Sequence, residues 1–80
     1  MSYLPLVETI ITGLVDNPGS VEIREELDGH TRTFIVKVAA EDTGKVIGKS
    51  GRVVSAIRQV VSAVASKSRE RAFIKIDTDD

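Results

Sequence analysis

The chain has 80 residues, enough for one small domain with a single core. It contains no cysteine and one histidine, which excludes disulfides, thiolate-bound metal and any histidine cluster, and fits a reducing compartment. The net charge of −1 argues against a uniformly basic coat, but its distribution is uneven: residues 1–36 sum to −4, residues 37–71 to +5 and residues 72–80 to −2. A local positive field on a mildly acidic chain fits one defined anionic contact.

The N-terminal stretch MSYLPLVETIITGLVDNPG has neither the basic start nor the small-residue cleavage site of a secretion signal, and no apolar run reaches transmembrane length. A soluble, cytoplasmic protein is therefore expected. Residues 5–16 read as a helix: Leu6, Val7, Ile10, Ile11, Leu14 and Val15 recur at helical spacing. Pro5 suits the first turn and DNPGS ends the run. In VEIREEL, Val21, Ile23 and Leu27 share one strand face. In TRTFIVKVA, Phe34, Val36 and Val38 alternate with Thr33, Ile35 and Lys37. Two alternating runs joined through Asp28-Gly29 predict an antiparallel hairpin.

A short helix is expected over 41–47, with Glu41 and Asp42 in its first turn beside the positive end of the helix dipole. A glycine loop interrupts it. A longer helix follows over 51–67, with Val53, Val54, Ile57, Val60, Val61 and Val64 on one stripe. AFIKID closes the chain as a strand carrying Ala72, Ile74 and Ile76 on one face; residues 1–4 and 78–80 are expected to fray. The order is αββααβ. The two-helix crossover favours a parallel pairing of the last strand, and so a two-layer α+β fold with a three-stranded mixed sheet and three helices on one face. Pattern alone leaves open which strand is central.

GKVIGKSG, residues 44–51, sits in the basic block between these helices. Gly44, Gly48, Lys49 and Ser50 give G-x-x-x-G-K-S, one residue short of a nucleotide-binding P-loop, and the chain lacks the length for the larger parallel sheet of such enzymes. Gly48-Lys49-Ser50-Gly51 also reads as G-x-x-G. Glycines at both ends let a sugar–phosphate chain approach the backbone. The following helix start offers unpaired N–H groups and a positive dipole end. Lys49 and Arg52 add charge there, with Lys45 one turn earlier. Ser50 has no neighbouring base and reads as a hydrogen-bond donor. Gly44 has no assigned reason.

GKVIGKSGRVVSAIR resembles the signature of the KH domain, in which a V-I-G-x-x-G core is followed by an apolar residue three positions on, here Val54, with Ile57 one turn further. The αββααβ order is similar to the type II, bacterial form of that fold, and the resemblance covers residues 1–80 as a single KH domain. The length, the LVDNP after the first helix and the ED-x-GKVIGK-x-GR block look like the small stand-alone KhpA family of bacteria. The resemblance implies a single-stranded RNA-binding protein of low sequence specificity, acting as a post-transcriptional regulator or RNA chaperone. RNA phosphates would lie over Gly48, Lys49, Ser50 and Gly51, and bases over an apolar floor drawn from Val46, Ile47, Val54 and Ile57, each of which is also a candidate for the core. Residues near Val36 and Val38 would form the strand wall. About 3–4 neutralised phosphates would give a salt slope of about −2 to −3. The resemblance also implies self-association, or pairing with a larger KH protein of the Jag type. The alternative is an assembly module with weak or no RNA binding. No enzymatic activity, cofactor or metal is expected.

Other residues carry little chemistry. His30 follows Asp28-Gly29 in a turn, Glu25-Glu26 and Asp79-Asp80 read as solvated charge, and Arg58, Lys67, Arg69 and Arg71 are candidates for extending the basic surface. Ala56 and Ala63 give the long helix a strip of small residues suited to a contact with another chain.

Overall fold

The first helix, α1, spans Leu4–Leu14 and buries Val7 and Ile11, with Pro5 in its first turn. The computed structural model describes residues 3–77. Of the positions expected to fray, Tyr3 is buried and Leu4 packs against the core, while residues 1–2 and 78–80 lie outside the described residues. A 3-10 turn at Pro18–Ser20 leads into β1, Glu22–Asp28, which pairs antiparallel with β2, Thr31–Lys37. Gly29 and His30 form the connecting turn, and only Gly29 has positive φ, +61°, as a hairpin with glycine at its first turn position requires.

A 3-10 turn at Ala40–Asp42 feeds α2, Thr43–Ile47. The loop Gly48–Gly51 separates it from α3, Arg52–Ser66. The chain then turns through Arg69, φ +58°, into β3, Arg71–Asp77. Strand order is β1-β2-β3, with β3 parallel to β2 and Phe34 opposite Ile74. The central strand is therefore β2, and β3 is a free edge.

Alternation along β2 sends Phe34 and Val36 toward the helices, where both are fully buried with Val7, Ile11, Val46 and Val61. Burying side chains of this size stabilises the fold by about 1.5–3 kcal/mol each. Three positions of the expected apolar stripes are exposed, Leu14 at the end of α1 among them. Val60 is 51% exposed because its neighbour Val61 takes the inward position on α3, where Ile57, Val61 and Ala65 form the buried line. Leu27 is 59% exposed. At its end of the hairpin, charged groups fill the space that an apolar partner would occupy.

Those groups centre on Arg32. Its Nε donates to Glu70 Oε2 at 2.7 Å and its Nη1 to Glu25 Oε2 at 2.8 Å. The Tyr3 hydroxyl donates to Glu70 Oε1 at 3.0 Å, and the guanidinium lies 5.2 Å from the Tyr3 ring centroid. One arginine thus ties both hairpin strands to the α3–β3 turn and to the start of α1. The hydrogen bond from Arg32 holds the Glu70 carboxyl below its ordinary range, against the opposing effect of burial.

Asp42 is fully buried below α2. It accepts from the Asn17 backbone N–H and Nδ2, both at 3.0 Å, and from the Asp16 N–H at 3.3 Å. Burial pushes its carboxyl up, but these hydrogen bonds, led by the Asn17 side chain, outweigh burial and leave it below the ordinary range. The α1–β1 connection is thereby fastened to the base of the helix that carries the glycine loop. Among the described residues no helix is long and apolar enough to cross a membrane, and no group of His, Cys, Asp and Glu is arranged to hold a metal ion.

Candidate nucleic-acid interface

The loop conformation follows from its glycines. Gly48 has φ +76° and ψ 174°, a region that only glycine enters without strain. A Cβ at this position would lie 2.3 Å from Val53 Cγ2 and 2.9 Å from the Val53 backbone nitrogen, so the loop packs directly onto the first turn of α3. Ser50 and Gly51 are left-handed, with φ of +58° and +73°. The result is a tight bulge in which the Gly51 N–H returns to Gly48 O at 3.2 Å and the Arg52 N–H to Lys49 O. Lys49 and Ser50 stand exposed at its tip. The Gly51 and Arg52 N–H groups, expected to be open, are thus committed inside the loop.

The groove beside the loop lies between α3 and the outer edge of β3. Val54, Ser55, Arg58 and Ile74 line a depression of about 150 Å³ there. The Arg71 N–H donates to His30 O at 2.8 Å, so the odd residues of β3 direct their backbone groups toward β2. The even residues turn outward: the Ser62 hydroxyl donates to Ala72 O at 3.1 Å on that side. By alternation the Ile74 N–H and C=O also face the free edge, next to the depression. This is an apolar slot with a backbone donor and acceptor along one wall and a cation, Arg58, along the other.

The structure divides the residues expected at the site. Gly48, Lys49, Ser50, Gly51 and the half-buried Val54 lie together along the loop and slot. Val46 and Ile57 are buried in the core and offer no floor to a ligand, and Ile47 packs against that core while half-buried. Lys45 turns away from the loop into ion pairs with Asp16 and with Asp42, the latter at 3.6 Å. The hydrogen bond to Asp16 holds its ammonium above the usual lysine range, with burial opposing. Arg52 borders the opposite side of α3, where it lines a groove facing α1. Val36 and Val38 offer no strand wall: both are buried, β2 is central, and the edge strand beside α3 is β3. Ile74 was missed as a wall residue because strand periodicity gives its face and not its neighbours. Arg58, one of the four candidates for extending the basic surface, lines the slot one turn beyond Val54.

An αββααβ domain with a positive-φ G-x-x-G loop between its two crossover helices and a mixed sheet presenting its last strand as an edge is a type II KH domain. The family model "KhpA/KhpB, KH domain" matches residues 5–76. The chain belongs to that family. It is similar to the RNA-binding protein KhpA of Caldanaerobacter subterraneus, with 51% identity over 72 residues covering 89% of this chain and 95% of that one. It is also similar to the RNA-binding protein KhpA of Clostridium acetobutylicum, at 45% identity over 89% of this chain and 95% of the relative, and of Listeria monocytogenes, at 41% over 89% and 93%. No solved structure matches.

Proposed function

We propose that this chain binds single-stranded RNA, the backbone crossing the Gly48–Gly51 loop and one or two bases entering the slot between Val54, Arg58 and Ile74. The observation that carries this reading is the loop itself. Its glycine backbone is locked onto α3 by the close approach of Gly48 to Val53, and it presents Lys49 and Ser50 at the start of the helix whose first turns line the slot with Ile74 of the β3 edge. Backbone groups at a strand edge read a base only when it is unpaired. With Lys45 paired to Asp16 and Arg52 on the other side of α3, about 2–3 phosphates are neutralised, giving a slope of log affinity against log salt of about −2. A contact dominated by backbone carries low sequence specificity, and the proposed role is a cytoplasmic one, in post-transcriptional regulation or as an RNA chaperone. The reading involves no reaction. Anisotropy of a labelled four-nucleotide single-stranded RNA titrated at several salt concentrations tests it. A slope near −2 and a clear preference over duplex are expected; no binding, or equal affinity for duplex, contradicts it.

One further observation favours assembly alongside binding. Leu6, Ile10 and Leu14 of α1 and Val53, Ala56 and Val60 of α3 form an open apolar groove of about 550 Å³. Weak single modules gain affinity when linked. The reading therefore includes pairing through this face with a second KH chain, either another copy or a larger Jag-type partner.

A further inference from the structure

The side of the sheet away from the helices has no role in the groove. Its residues are the odd positions of β3 and their neighbours across the sheet. Phe73 stands there 44% exposed, between Arg71 and Lys75 on the same strand face and opposite Thr33 of β2. Next to it the half-buried Ile35 lies between Arg24 and Lys75, and these three residues line a shallow depression of about 300 Å³ together with Ile76 and Asp77. The charge across this face is polarised. The β1 side carries Glu22, Glu26 and Asp28, with Arg24 3.7 Å from Glu26, while the β3 side carries Arg71 and Lys75 around the phenyl ring, with Asp77 beyond Lys75 at the end of the strand.

We propose that this half of the open sheet face is a second contact for single-stranded RNA, in which one base stacks on Phe73 while Arg71 and Lys75 hold the flanking phosphates. A π-face accepts any base, so such a contact adds affinity without adding sequence preference. The acidic row on β1 confines a polyanion to the β3 side. The β3 edge is shared with the slot at Ile74, so a strand leaving the slot needs only to pass over that edge to reach the ring. This rests on the RNA-binding reading and extends it: the loop and slot serve the first few nucleotides, and Phe73 serves those beyond.

The test uses RNA length. Labelled oligouridylates of 4 and 10 nucleotides are titrated against the wild type, Phe73→Ala and Phe73→Trp, with light scattering as control. The chain has no tryptophan, so the introduced indole is the only one present. Phe73→Ala is expected to weaken the 10-mer about ten-fold while changing the 4-mer less than two-fold. The indole of Phe73→Trp is expected to be quenched by the 10-mer and not by the 4-mer. If wild type binds both oligomers, but Phe73→Ala binds the 10-mer as tightly as wild type and the indole is not quenched, the sheet-face contact is wrong while the loop reading stands. A change of mass in Phe73→Ala with unchanged RNA affinity assigns the face to protein contact and also overturns the proposal. Failure of the wild type to bind either oligomer overturns both readings.

Discussion

Gly48→Ala probes the link between sequence and loop most sharply. The position combines a backbone region closed to other residues with a Cβ that would overlap Val53. Backbone strain of this kind costs about 1–3 kcal/mol, and overpacking adds about 1–3 kcal/mol. Rotation of Val53 relieves the 2.3 Å contact with Cγ2. It does not move Val53 Cβ at 2.8 Å or the backbone nitrogen at 2.9 Å, which the first turn of α3 holds in place. Two other glycines act as controls. Gly51→Ala meets nothing within 4 Å and costs only its left-handed conformation, about 1–2 kcal/mol. Gly44→Ala also meets nothing, has no positive φ, and should stabilise α2 by about 0.5–1 kcal/mol. In a domain of this size 1 kcal/mol moves the melting temperature by about 4–8 °C. Thermal unfolding followed by far-ultraviolet circular dichroism should therefore give a fall of roughly 15 °C or more for Gly48→Ala, a smaller fall for Gly51→Ala and a small rise for Gly44→Ala. In the Gly48→Ala background, Val53→Ala should recover only part of the loss. Equal melting temperatures for Gly48→Ala and Gly51→Ala would refute the steric reasoning.

Three further outcomes are expected. Asp42→Ala should lower the melting temperature far more than Glu41→Ala, since Asp42 is buried and bonded to Asp16 and Asn17 while Glu41 is exposed. The Glu70 and Asp42 carboxyls titrate below their unfolded values, so their contribution is fully present above about pH 4–5 and is lost as pH falls through the lower folded values; melting temperature against pH should drop on that acid limb, and Glu70→Gln should flatten it. Val60→Asp, at an exposed position on the apolar groove, should leave melting nearly unchanged and reduce any dimer seen by light scattering.

The elements were legible because each carries its own period: the strands alternate, the helices repeat at three and four, and Gly29 marks the hairpin. The parallel crossover followed from connection length. Sheet order was not legible, since alternation tells which face a residue takes but not which strand lies beside it. For that reason the sequence points to residues near Val36 and Val38 for a strand wall, whereas the strand that lines the slot beside α3 is β3, through Ile74. The sequence presents Lys45 as a loop cation because its partner Asp16 is 29 residues away and meets it only once α1 and α2 pack. The same packing gives the LVDNP segment a physical role, as Asp16 and Asn17 bond the buried Asp42 that seats the loop helix. Within GKVIGKSG the structure gives Gly48 and Gly51 conformational reasons and Gly44 none.

The central claim is that RNA meets the chain at the tip of this loop, and Lys49→Asp with Ser50→Asp tests it most directly. Both side chains are exposed, neither belongs to the core, and aspartate tolerates the left-handed backbone at position 50. The variant should melt close to the wild type and lose measurable affinity for labelled single-stranded RNA by anisotropy. A folded variant that binds RNA as tightly as the wild type would contradict the account.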